Sequence, residues 1–286
     1  MIKNLTGRII KGVGGNYSVV TSCYREFVCQ ARGLFRKENI TPLVGDFVEI
    51  SVVDEEKSVG YLQKILPRNN ELVRPRIANV DQVLVVCATR PTINIPVLDA
   101  FLINCEMQDI EAVLCINKID LDPEENYKEV LNAYEMAGYR PFAISVETGQ
   151  GMENFAKVLE DKTTILAGAS GVGKSSILNY LFPHLNLATG GLSEKIGRGK
   201  HTTRHTAIFQ VDANSFVVDS PGFSSLNVEH IPKKELQNYY PEFYDHIENC
   251  YYVGCSHITE HDCAVKEQIG ITIHPARYEQ YKNFMT

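Results

Sequence analysis

The stretch Gly168-Ala-Ser-Gly-Val-Gly-Lys-Ser175 constrains this chain more than any other. It fits the pattern GxxxxGK[ST], follows the apolar run "TTILA" and precedes the helical pattern "SSILNYLF". A loop that wraps a phosphate needs backbone N–H groups turned inward and no Cβ in the way, which glycine allows. The helix that follows adds partial positive charge at its N-terminus. The motif predicts strand, loop and helix in that order, with Gly168, Ala169, Ser170, Gly171, Val172, Gly173, Lys174, Ser175 and Ser176 around a phosphate chain. Lys174 is expected on the β and γ phosphates, and Ser175 offers its hydroxyl to Mg2+.

A second motif, Asn117-Lys118-Ile119-Asp120, closes the apolar run "AVLCI" about fifty positions earlier. A carboxylate accepts two hydrogen bonds from N1–H and the 2-amino group of guanine, and adenine offers no such pair. Asp120 is therefore the expected discriminator, with Asn117 fixing the loop and Lys118 lying over the ring. Ser145, after "PFAI", stands where such sites use a loop amide on the guanine oxygen, although Val146-Glu147 depart from the usual Ala-Lys. Asp219-Ser-Pro-Gly222 ends another apolar run, "SFVV". An acid there suits Mg2+ coordination, and the Gly222 N–H suits the γ-phosphate. In a Ras-like domain the phosphate loop comes before NKxD; here it follows NKxD by about fifty positions. The ends of a domain commonly lie close together. Joining the old ends through Asp161-Lys162 and cutting new ones beyond Pro221-Gly222 would leave the site intact. The expected fold is an α/β, circularly permuted Ras-like P-loop GTPase domain, with GTP/GDP and Mg2+ as its ligands.

The flanks differ from this core. "TGRIIKG", "YSVVTS", "EFVCQAR", "DFVEISVV" and "GYLQKILP" are short runs rich in β-branched and aromatic residues, punctuated by Gly14-Gly15-Asn16 and Val44-Gly45-Asp46. Five such strands fit a small closed barrel, of the OB-fold or the SH3-like kind. "PRNNELVRPRIANV" reads as a linker. From Asp81, buried strands alternate with helices, as in a doubly wound sheet. Tyr127, Val130, Leu131 and Tyr134 mark one helix; Met152, Phe155, Ala156 and Leu159 mark another. The net charge of −7 argues against a protein that coats nucleic acid nonspecifically. Yet residues 1–70 carry ten Lys/Arg against seven Asp/Glu, and the remainder eighteen against twenty-eight. That asymmetry points the barrel towards a polyanion, against the plainer reading of a solvated surface. No apolar run reaches the length of a membrane span, and "MIKNLTGRII" lacks the apolar core of a signal peptide, so a cytoplasmic protein with no membrane partner is expected.

Two further features bear chemistry. The glycine-rich segment "TGGLSEKIGRGKHTTRH" is longer than a plain connection needs. Thr202 or Thr203 is expected on Mg2+ in the GTP state. Lys195, Arg198, Lys200 and Arg204 suit RNA phosphates. The position after the DxxG glycine, where Ras-like enzymes place a water-orienting Gln, holds Phe223. His201 is the candidate to polarise the attacking water; the alternative is a surface histidine beside a metal-binding Thr. Cys250, Cys255, His257 and Cys263 supply three thiolates and one imidazole within fourteen residues. Four such ligands match one closed, structural Zn2+ site rather than a catalytic one. His246 and His261 fall outside that set.

The permuted order, the N-terminal barrel and the Cys/His cluster resemble the RsgA (YjeQ/YloQ) family of ribosome small-subunit-dependent GTPases. "NKID", "GASGVGKSS", "GRGKHTTRH" and "DSPG" carry the resemblance over nearly the whole chain. It implies GTP hydrolysis stimulated by the small ribosomal subunit in its late maturation, with that subunit and its rRNA as partners; a monomer is expected. The expected division is an OB-like RNA-binding barrel over 1–68, the permuted GTPase domain over 69–228 and a helical zinc-binding domain over 229–286. Other readings are an assembly factor in which hydrolysis is incidental, and a permuted GTPase acting on another ribosomal particle. The step from Pro221-Gly222 into the zinc module also suggests that the γ-phosphate moves that module.

Overall fold

A computed structural model describes residues 3–31, 35, 40–73, 75–187, 207–212, 214–219 and 228–286. The chain groups into two compact units. The first holds residues 1–81 and 159–166 with the described residues between 192 and 223; the second holds 82–158, 167–191 and 224–286.

The first unit opens with five strands: β1 (Lys3–Val13), β2 (Asn16–Thr21), β3 (Glu26–Ala31), β4 (Phe47–Asp54) and β5 (Val59–Ile65). They close into a barrel in the order β1-β2-β3-β5-β4, with β4 returning to β1. The closing pair β3–β5 is parallel and the others antiparallel. Parallel closure between the third and fifth strands is the OB arrangement, which settles the barrel type left open by the strand spacing. Ile9, Val19, Phe27, Cys29, Val48, Ile50 and Leu62 fill it, each fully buried. Period-2 alternation sends these side chains inward.

The linker folds onto this unit as a two-stranded ribbon, β6 (Glu71–Leu72) with β7 (Ile77–Ala78). Ala78 N donates to Val44 O at 3.0 Å. The unit also contains three later strands. β11 (Thr163–Ala167) pairs in parallel with β13 (Phe216–Asp219), and β12 (Ala207–Gln210) runs antiparallel to β13.

In the second unit β8 (Gln82–Ala88), β9 (Glu111–Asn117) and β10 (Arg140–Ala143) form parallel pairs, with β9 in the middle. β8 and β9 are buried almost throughout, which is why their sequences read as continuous apolar runs. The crossovers are α1 (Ile95–Glu106) and α2 (Tyr127–Met136). Asn94 caps α1 by accepting from Val97 N at 3.2 Å, and Pro96 sits in its first turn. Helix α3 covers only Met152–Ala156, shorter than the apolar pattern to Leu159 suggests. Val158 and Leu159 are buried beyond its end, and Asp161 takes a left-handed φ of 54° where the chain turns into β11. Helix α4 (Lys174–Leu181) follows the phosphate-loop motif.

The C-terminal part of this unit is built of short pieces. They are 3-10 turns over Lys233–Tyr239 and Pro241–Phe243, then α5 (Tyr244–Ile247), α6 (Ala264–Glu267) and α7 (Pro275–Met285). Their shared core holds Tyr240, Phe243, Cys263, Val265, Ile273 and Tyr281, together with Ile103 from α1. Among the described residues, no helix is long and apolar enough to cross a membrane.

Candidate functional site

The phosphate-loop motif is a strand–loop–helix, as its sequence predicts. Gly168, Gly171 and Gly173 have φ of 129°, 80° and 103°, all in the region that favours glycine. Two of them leave no room for a side chain. A Cβ on Gly168 would lie 2.1 Å from Val86 O, and one on Gly173 would lie 2.2 Å from Asn117 Nδ2. α4 starts without a side-chain cap and without an acid in its first turn, so its N–H groups and positive end stay available to an anion. The Lys174 ammonium donates to Gly168 O at 2.7 Å and Ala169 O at 2.8 Å, folded over the loop. Ser175 is buried in the first turn; Ala169, Ser170 and Gly171 are exposed.

The Asn117–Asp120 motif is tied to this loop directly. Asn117 is buried, and its Nδ2 donates to Val172 O at 2.9 Å, while its Oδ1 accepts from Lys118 N at 2.8 Å. Lys118 has a left-handed φ of 63°, and its Nζ donates to Gly171 O at 2.7 Å. Two stretches fifty-five residues apart thus share three elements of one geometry: a close glycine contact, an amide bond and a lysine bridge. Asp120 lies in a 3-10 turn (Ile119–Leu121) at the end of β9, with its residue exposed. Ser145 is fully buried, and its hydroxyl donates to Asp120 Oδ1 at 2.5 Å. That bond fixes the carboxylate before any ligand arrives. The Ser145 N–H itself donates to Gln150 O at 2.9 Å.

Sequence reasoning missed Thr89, whose hydroxyl donates to Lys118 O at 2.5 Å and supports the strained turn. A lone Thr at a strand end carries no local signal for this. Asp219 ends β13, and its side chain lies outside the described residues, as do Gly222, Phe223, Lys195, Arg198, Lys200, His201, Thr202, Thr203 and Arg204. The segment proposed to link the γ-phosphate to the zinc module is likewise outside them.

Cys250, Cys255, His257 and Cys263 converge, with all four ligand atoms within 4.8 Å of one another. Cys250 Sγ lies 3.9 Å from Cys263 Sγ; His257 Nδ1 lies 3.6 Å and 3.3 Å from the same two sulfurs. A tetrahedron with ordinary zinc bond lengths needs about 3.8 Å between sulfurs and about 3.6 Å from sulfur to nitrogen. The four residues fit one ion. His257 is oriented for it: its Nε2 hydrogen-bonds Gln237 Oε1, which leaves Nδ1 as the free lone pair. Gln237, twenty residues away, was another residue the sequence did not reveal. Burial pushes the Cys255 thiol up to about 12 and pulls the His257 imidazolium down. A dication in the cluster reverses the first effect by holding the thiolates. His246 is half-buried and its Nε2 hydrogen-bonds Thr272 Oγ1 at 3.0 Å, outside this set.

A phosphate loop locked to an NKxD motif that precedes it in the chain defines a circularly permuted GTPase. The RsgA GTPase family pattern matches residues 65–229, and the RsgA N-terminal domain pattern matches residues 6–62. The chain belongs to the RsgA GTPase family and is a GTP hydrolase. It is 45% identical over 284 residues to the small ribosomal subunit biogenesis GTPase RsgA of Caldanaerobacter subterraneus subsp. tengcongensis, covering 98% of this chain and 94% of that protein. The protein of the same name from Agathobacter rectalis is also 45% identical, covering 97% and 96%. Among solved structures, YjeQ from Thermotoga maritima superposes with a TM-score of 0.82 at 32% identity, covering 99% of this chain and 98% of that one. YloQ, a circularly permuted GTPase, gives 0.79 at 34% identity, covering 99% and 94%.

Proposed function

We propose that this chain binds the small ribosomal subunit and its rRNA, and hydrolyses GTP in the late maturation of that particle, with turnover stimulated by it. The observation that carries the reading is full-length similarity, barrel and Cys/His cluster included, to proteins named for small-subunit biogenesis. The barrel (1–68) supplies an RNA-binding surface, residues 69–228 the GTPase and residues 229–286 the zinc module. The protein works as a monomer in the cytoplasm, where its particle is.

In this reading Gly168 to Ser176 cradle the phosphates, and Lys174 leaves the loop carbonyls for the β and γ oxygens. Asp120, fixed by Ser145, accepts from the guanine edge. Ser175, Asp219 and one of Thr202 and Thr203 hold Mg2+, a donor set of hard oxygens suited to that cation. Bound by these residues, Mg2+ would supply neutralisation of the phosphate charge. His201 orients the attacking water in place of the glutamine that Phe223 displaces. Slow turnover of the free enzyme follows, because the catalytic set is completed only on the particle.

Turnover measured alone, with small subunits and with large subunits tests this. Small subunits are expected to raise kcat at least tenfold, on the order of what completing a catalytic set gives. Equal rates in all three reactions would sink the reading and leave a nucleotide-regulated placeholder. Asp120→Ala is expected to cut GTP affinity roughly a hundredfold, since two charge-assisted hydrogen bonds are lost, and to abolish preference over ATP. Competition by both nucleotides against a fluorescent GDP analogue reads this out.

A further inference from the structure

Arg8, on β1 of the barrel, is 3% exposed. Its Nε donates to Gly45 O at 3.2 Å, its Nη2 to Asn79 O at 2.7 Å and its Nη1 to Thr163 Oγ1 at 2.7 Å. The guanidinium carbon also lies 4.9 Å from the Phe47 ring centre and 4.5 Å from that of Phe216. All three acceptors are neutral oxygens. The carboxylates that act on it through space are engaged elsewhere: Asp46 holds Arg68 Nε at 2.6 Å, and Asp81 Oδ2 accepts from Thr163 N at 2.7 Å. Burial accordingly pulls the guanidinium down to about 10.

A buried cation without an ion-pair partner among the described residues is a costly way to fill space, and an apolar side chain of similar length would pack there at lower cost. What the guanidinium adds is geometry: one rigid plane whose N–H groups point in fixed directions and whose faces stack on rings. Here the plane reads three elements at once. Thr163 and Phe216 are cross-strand partners, the first residues of β11 and β13. Arg8 bonds one and stacks on the other. β11 runs without a break into Gly168, and β13 ends at Asp219. Backbone bonds support the same junction, since Asp81 N donates to Thr163 O at 3.0 Å.

We propose that Arg8 is a positioning residue for GTP hydrolysis, pinning the register of the two strands that lead to the phosphate loop and to Asp219. The loop lies five residues beyond the pinned pair, roughly 16 Å along β11. A change in the register between these strands shifts Asp219 at the end of β13, while the phosphate loop, held by Asn117 and Lys118, stays as it is. The inference rests on shown GTP hydrolysis and on the assignment of Asp219 to the phosphate side. Asp219→Ala, which tests that assignment, is run beside it, and the Arg8 result is read against the wild type alone.

The experiment measures kcat and KM for GTP, and affinity for a fluorescent GDP analogue, in Arg8→Met and Arg8→Lys, well below their unfolding temperatures. Both variants are expected to lose about tenfold in kcat, the scale on which small misplacements act, with KM and GDP affinity within about twofold. Lysine keeps the charge but not the fork, so its failure separates geometry from electrostatics. Thr163→Val, which removes a single acceptor, serves if Arg8 variants do not fold, with the same split expected. Folded variants whose kcat stays within twofold of wild type overturn the proposal, as does an equal loss in kcat and GDP affinity.

Discussion

Cys263→Ser protein is expected to lose its bound zinc and, with it, the fold of residues 229–286, while still binding guanine nucleotide. The reason lies in how little else holds that region. α5 and α6 have four residues each, far below the length at which a helix stands alone. The ligands sit at the joints: Cys250 after α5, Cys255 and His257 in the connecting loop, Cys263 at the start of α6. One ion bound by all four would therefore close several turns at once. Structural zinc binding in small modules is worth about 10–16 kcal/mol at neutral pH, more than the whole stability of most domains. Uptake releases protons from the thiols, so affinity falls as pH falls. Metal analysis should give one zinc per wild-type chain and none in the variant. Hydrogen exchange should show protection lost across 229–286 and kept at Asn117 and the phosphate loop, whose mutual bonds need nothing from the cluster. A variant that keeps its protection without metal would show that the thiols are only core residues.

The sequence made the nucleotide site legible because its parts are local. A glycine pattern between a strand and a helix states its own geometry, and four ligands within fourteen residues state theirs. The permutation was legible too, since two local motifs in swapped order leave one arrangement that keeps both. The barrel's identity was not, because strand spacing does not show which strands close it; the parallel β3–β5 pair does. Least legible were the long-range polar joints. Arg8 sits between Gly7 and Ile9 in a strand whose alternation puts Ile9 inside and Arg8 outside. Both are buried, because the outer face at Arg8 meets Thr163 and Phe216. No periodicity reports a partner 155 residues away. The same holds for Arg277 and Asp99, separated by 178 residues.

That second pair carries the remaining large effect. Arg277→Met is expected to destabilise the protein by about 3–5 kcal/mol, the usual cost of stranding a buried charge. Arg277, on α7, is 2% exposed and bonds Asp99 on α1. It also grips both oxygens of Glu242, at 2.7 Å and 3.3 Å. The rings of Tyr240, Tyr134 and Tyr139 surround it at 4.7, 5.0 and 5.8 Å. Tyr134 donates to Asp99 Oδ1 at 2.7 Å, and Asp99 Oδ2 has no partner among the described residues. Without the arginine, two carboxylates remain in an apolar pocket. A thermal midpoint lower by roughly 10 °C follows for a chain of this size. Burial already pushes the Asp99 carboxyl up, and removing its cation pushes it further. A carboxyl raised above its unfolded value stabilises the fold when protonated and loses that contribution as pH rises. The deficit of Arg277→Met should therefore shrink as pH falls from about 7 to about 5. Adding Asp99→Leu and Glu242→Leu should restore most of the loss at neutral pH, since apolar replacement of a whole buried ion cluster is often neutral. Urea unfolding of the single and triple variants at both pH values decides it. A single variant as stable as wild type, or a deficit that grows on acidification, would mean that the apolar contacts of Ile103 and Tyr281 hold α7 to α1 without help from the ions.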